Sequence, residues 1–137
     1  MKTILLVILL FISVKLLAPE VRCFYIEKAK AIGRFDRLVA AVTWIESKDG
    51  LYIWNPIEGA VGWFQIRQIR VEDYNRRRGT HYQLNDFYDY DLSREMFVYY
   101  AEQINDFERI SRMWNGGPNG MKYKQTLKYW NLVQSKL

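Results

Sequence analysis

An apolar run with helical spacing, Phe35-Asp36-Arg37-Leu38-Val39-Ala40-Ala41-Val42-Thr43-Trp44-Ile45-Glu46, ends on a carboxylate. Val39, Val42 and Glu46 stand at i, i+3 and i+7, so the acid shares the stripe that must turn inward. It also falls in the last turn, where the helix dipole is negative. Both effects disfavour the charged form and raise the pKa. A carboxylic acid that keeps its proton near neutral pH can serve as a general acid. A surface glutamate at a fraying helix end is the plain alternative.

The chain has 137 residues, enough for one domain around one core. Half of them are hydrophobic and 16% are aromatic, which excludes a disordered chain. The net charge of +5 suits an anionic polymer: nucleic acid, anionic lipid or a bacterial wall. Cys23 is the only cysteine, so neither an internal disulfide nor a cysteine zinc cluster can form. His81 is the only histidine. It stands in the polar stretch Gly79-Thr80-His81-Tyr82, with no serine or cysteine nucleophile motif, and reads as a loop residue.

Lys2 precedes an apolar run from Ile4 to Val14 that Lys15 interrupts. This is shorter than the ~20 residues of a bilayer span and fits the core of an export signal. Ala18-Pro19 is a poor cleavage site, so residues 1–22 read as a signal peptide or an uncleaved membrane anchor. Residues 23–137 form the domain, exported to the periplasm or cell envelope.

Beyond the leader the pattern is mainly helical. Tyr25 to Ala31 reads as a short helix, and the Glu46 helix spans about Arg34 to Ser47 before Lys48-Asp49-Gly50 stops it. Leu51 to Phe64 is irregular, with Leu51-Tyr52-Ile53-Trp54 as a short strand and Pro56, Gly59 and Gly62 as turns. Gln65 to Tyr74 reads as a short helix, opening on Gln65-Ile66-Arg67-Gln68-Ile69-Arg70, and Arg76-Arg77-Arg78-Gly79 reads as a basic loop. Asp91 or Ser93 caps a helix over Leu92 to Glu108, and Asp86 and Asp89 read as solvated loop residues. A short helix from Arg109 to Trp114 ends at Asn115-Gly116-Gly117-Pro118. The last helix runs from Met121 to Gln134, with Tyr123, Leu127, Trp130 and Val133 as its inner face.

Four segments align in order: Glu46-Ser47; Glu58-Gly59-Ala60-Val61-Gly62-Trp63-Phe64-Gln65-Ile66; Trp114-Asn115-Gly116-Gly117-Pro118; and Thr126-Leu127-Lys128-Tyr129-Trp130. Together they resemble the soluble lytic transglycosylase family, over roughly Arg34 to Val133. The resemblance implies a small lysozyme-like helical domain that cuts the glycan strands of bacterial peptidoglycan, as a monomer, with no metal and no cofactor. Glu46 matches the catalytic Glu of the family's Glu-Ser motif, and Ser47 its neighbour. Gly59, Ala60, Gly62, Gln65 and Ile66 match its Gly-Ala-x-Gly-Leu-Met-Gln-Ile loop, which lines the sugar groove. Asn115 and Gly117 match its Tyr-Asn-Ala-Gly segment, and Thr126 and Tyr129 a Thr-x-x-Tyr pair. Trp114 replaces a tyrosine that commonly hydrogen-bonds the catalytic carboxyl, and an indole N–H donates but does not accept.

Gln65 and Asn115 each carry a donor and an acceptor suited to N-acetyl and hydroxyl groups. Trp63, Trp114 and Tyr129 are flat surfaces for sugar faces, or walls that keep water from Glu46. Most glycosidases use two carboxylates, but the resemblance marks one. A single acid suffices for an intramolecular route that ends in a 1,6-anhydro sugar. The alternatives are a lysozyme in which Asp49 or Glu58 holds a water, and a module that grips wall glycan without cutting it. A nucleic-acid partner, raised by Arg76-Arg77-Arg78, is disfavoured because no nucleic-acid motif accompanies the basic run.

Overall fold

The structure, a computed structural model, describes residues 33–137. The fold is that of one compact unit, Phe35–Leu137. The leader 1–22, Cys23 and the helix expected over Tyr25 to Ala31 lie outside the described residues. Among the described residues no helix is long and apolar enough to cross a membrane.

The architecture is mainly helical. Helix α1 (Asp36–Ser47) leads into a two-stranded antiparallel ladder, β1 (Trp54–Asn55) with β2 (Ala60–Val61). Helix α2 (Gln68–Arg78), a 3-10 turn (Leu84–Tyr88), α3 (Tyr90–Ala101) and α4 (Phe107–Gly116) follow. A second 3-10 turn (Gly117–Lys122) then leads to α5 (Lys124–Gln134). The core gathers Leu38 and Val42 of α1, Phe64 and Ile66 of the loop after β2, Val71 and Tyr74 of α2, Phe97 of α3 and Val133 of α5. Phe64 stacks on Phe97 with centroids 5.1 Å apart, and Trp114 meets Phe97 edge-on at 5.0 Å. Aromatic burial of this kind supplies large apolar area with fixed geometry.

Several boundaries differ from the sequence expectation. The three arginines are the last turn of α2 rather than a loop. Arginine is a good helix former and complements the negative helix end, and Asp73 pairs with Arg76 and Arg77 one turn on. Gln65 lies outside α2, in a turn with φ 48°. The helix expected over Leu92 to Glu108 is broken in two, because Asp106 caps α4 by accepting the Arg109 N–H at 2.7 Å.

Asp89, not Asp91 or Ser93, caps α3, accepting from Leu92 N at 2.8 Å. Ser93 is buried and donates to Phe87 O at 2.6 Å. Asp86 accepts the Gln83 N–H at 2.7 Å, so neither Asp86 nor Asp89 is merely solvated. The short strand is displaced to Trp54–Asn55. There the Asn55 side chain accepts from Ile57 N at 3.1 Å and nucleates the turn. The inner face of α5 is Thr126, Tyr129 and Val133, while Tyr123 and Leu127 are exposed. The Gly117–Lys122 turn takes up the residues that would have started that helix earlier.

Candidate active site

Glu46 sits at the C-terminal end of α1 because its stripe companions Val39 and Val42 are buried and carry it inward. Its own surface is only partly covered. Tyr129, buried on the inner face of α5, donates from Oη to Glu46 Oε1 at 2.7 Å. Burial pushes the Glu46 carboxyl up to about 7. The Tyr129 hydrogen bond opposes that rise, the charge of Glu58 adds to it, and Arg70 and Arg67 oppose it. The tyrosine hydroxyl is pushed well above its ordinary value, first by burial and then by the Glu46 charge, so it stays a donor.

Ser47 does not face the carboxyl. Its Oγ lies 3.0 Å from Trp63 O and accepts the Gly50 N–H at 2.9 Å. It ties the end of α1, left by a left-handed Lys48, to the glycine-rich loop. That loop closes through paired hydrogen bonds between Val61 and Ile66, at 2.9 and 2.8 Å. Gly62 is the residue that permits it. Its φ is 75°, and a Cβ there would stand 2.1 Å from Phe87 O.

Gln65 holds the loop from within: Nε2 donates to Tyr52 O and to Gly62 O, both at 3.1 Å. Its amide oxygen makes no hydrogen bond among the described residues, which leaves it as an acceptor. The Asn115 amide, at the end of α4, likewise makes none among the described residues and keeps its full donor and acceptor set. Trp114 is turned inward. It is buried, and its indole N–H donates to Phe64 O at 3.2 Å. This Trp is thus tied to the loop backbone and makes no hydrogen bond to Glu46 among the described residues. Trp63 is half-buried and meets Tyr90 edge-on.

Sequence reasoning missed Arg70. Its NH2 donates to Trp114 O at 2.7 Å, and its guanidinium lies 4.1 Å from the Trp114 ring centroid. Its charge also reaches Glu46. The only available signal was its place beside the apolar pair Val71 and Tyr74. Its partner Trp114 is 44 residues away.

Of the two acids considered as a second carboxylate, Asp49 accepts from Thr43 Oγ1 at 2.9 Å. Glu58 lies 3.9 Å from Arg67, and its field reaches Glu46. His81 is exposed. No group of three His, Cys, Asp or Glu side chains among the described residues could hold a metal ion. Chemically, the arrangement offers one acid that exchanges its proton near neutrality, a fixed donor on it, and unspent amide groups on the loop and on α4. Compared with family models, with curated proteins and with solved structures, the chain matches none.

Proposed function

We propose that the protein is a lytic transglycosylase of lysozyme-like fold, exported to the cell envelope, that cleaves the β-1,4 bond between N-acetylmuramic acid and N-acetylglucosamine in peptidoglycan. The observation that carries this reading is the half-buried Glu46, with its pKa raised to about 7 and Tyr129 Oη 2.7 Å away. A carboxyl of that pKa can both give and take a proton near neutral pH.

Glu46 donates its proton to the glycosidic oxygen as the bond to the anomeric carbon breaks. The substrate's own N-acetyl oxygen stabilises that carbon, as in substrate-assisted exceptions to the two-carboxylate scheme. The Glu46 carboxylate, now accepting from Tyr129, takes the proton of the muramic acid C6 hydroxyl. That oxygen bonds to the anomeric carbon and closes the 1,6-anhydro ring. The proton count returns to its start and no water is consumed. Gln65 and Asn115 offer amide groups to N-acetyl and hydroxyl groups of the glycan.

Hydrolysis of the same bond is the second reading. It is favoured by Glu58, whose charge reaches Glu46 and which could hold a water. A non-catalytic wall-binding module would have no use for a carboxyl whose burial opposes ionisation. Digestion of purified peptidoglycan with the protein tests all three. Muropeptides lighter by one water and resistant to borohydride support the transglycosylase. Reducible products of full mass support hydrolysis, and undigested wall rejects both enzymes.

A further inference from the structure

A groove of about 830 Å³ opens between α2 and α4, lined by Arg67, Arg70 and Arg77 on one side and by Trp114, Gly117 and Pro118 on the other. Arg70 is the cation that two rings and a backbone carbonyl hold in place. The guanidinium lies over the Trp114 ring at 4.1 Å and near the Tyr100 ring at 5.3 Å, and its NH2 is pinned to Trp114 O. A guanidinium has five N–H donors in a rigid fork. Beyond the bond to Trp114 O, the Arg70 guanidinium makes no hydrogen bond among the described residues. It is therefore a desolvated, oriented cation with donors to spare.

The groove's own acids are already engaged. Asp73 accepts from Arg76, from Arg77 Nε at 2.6 Å and from Tyr100 Oη at 2.7 Å. Glu72 accepts from Gln68 Nε2 at 3.0 Å. Neither satisfies the Arg70 fork.

We infer that this groove is a carboxylate-binding subsite that takes the acidic peptide branch of the wall polymer, with Arg70 as its anchor. The inference rests on the reading of Glu46 as a glycan-cleaving acid. A stacked guanidinium fork matches a carboxylate in a bidentate way. From Arg67 to Arg77 the helix runs about 15 Å at 1.5 Å per residue, room for an extended peptide of about four residues. A nucleic-acid backbone fits less well. Glu72 and Asp73 line the same wall, so the groove lacks the unbroken positive track that closely spaced phosphates require. Arg70 connects the two sites, since its charge acts on Glu46 while its fork serves the groove.

The test uses the full chain carrying Glu46→Gln, which cannot turn over glycan. It is titrated by calorimetry with a wall stem peptide bearing free carboxylates, with the same peptide amidated, and with an oligonucleotide of equal charge. The free acid is expected to bind about tenfold or more tighter than the amide, as for a charged hydrogen bond. Arg70→Gln should abolish that ratio. Arg70→Lys should retain part of it, because an ammonium keeps the charge without the fork. The ratio is taken on one protein sample, so a partly unfolded variant does not distort it.

Equal affinity for acid and amide overturns the inference. So does a preference that survives Arg70→Gln, or an oligonucleotide that binds where the peptide does not. A peptide preference in a protein whose wild type leaves peptidoglycan intact upholds the groove and removes the enzyme, so the two failures are told apart.

Discussion

Tyr129 Oη and Glu46 Oε1 lie 2.7 Å apart, although 83 residues separate them along the chain. The tyrosine O–H can donate to the carboxyl whether or not it is ionised, and it donates more strongly to the anion. It therefore opposes the rise that burial causes. The pair sets the proton affinity of the site from two helices far apart in the chain.

Tyr129→Phe removes the donor and keeps the ring. The Glu46 pKa should rise further above 7, and the alkaline limb of kcat/KM should move to higher pH with it. Glu58→Gln should shift the limb the other way, by less, because Glu58 is exposed and its field is screened. Muropeptide release measured between pH 5 and 9 reads both shifts. A limb unmoved in the Tyr129 variant would remove the tyrosine from the tuning of Glu46.

Glu46→Gln should abolish glycan cleavage while the protein stays folded. It should also stabilise the fold at high pH. The native carboxyl holds its proton up to about 7, against an ordinary value of 4.5. Below the lower value both states are protonated and burial carries no ionic penalty. Stability then falls as pH rises between the two values and levels off above the higher one, at a cost of up to about 3 kcal/mol. Urea unfolding at pH 4 and pH 8 should show that pH-dependent loss in the wild type and its reduction in the variant.

Gly62→Ala places a methyl group 2.1 Å from Phe87 O at a positive φ. The loop must shift, which should cost about 2 kcal/mol or more. Thermal unfolding measures this. Cleavage, where present, should fall further than the folded fraction does, because the same loop carries Gln65.

Ser47→Ala strands the Gly50 N–H and releases Trp63 O from the end of α1. A part-buried donor and acceptor left without their partner should cost about 1 kcal/mol or more. The Glu46 pKa should move little, because Ser47 Oγ faces the loop and not the carboxyl. A large change in the pH profile of the Ser47 variant would contradict that separation of roles.

The helix ending in Glu46, the turn glycines and the mainly helical class were legible in the amino-acid order. Each depends on neighbours within a turn or two: apolar spacing at Val39 and Val42, a stop at Lys48-Asp49-Gly50, a loop permitted by Gly62. Helix ends were less legible where two local preferences compete. Asp106 could continue a helix or cap the next one, and the arginines at 76–78 could be loop or last turn. The Asp106 cap on Arg109 N–H and the Asp73 pairs with Arg76 and Arg77 resolved them.

The site depended on contacts across the fold. The inward turn of Trp114, the Arg70 fork stacked on it, and the Tyr129 hydroxyl on Glu46 each join residues far apart in the chain. A carboxyl's proton affinity reflects the water it loses and the charges it meets through space, and neither is written in its immediate neighbours. Order along the chain determined that an acid would ride an inward helical stripe. Tertiary packing alone decided what meets it there, because desolvation and hydrogen bonding are properties of the assembled core.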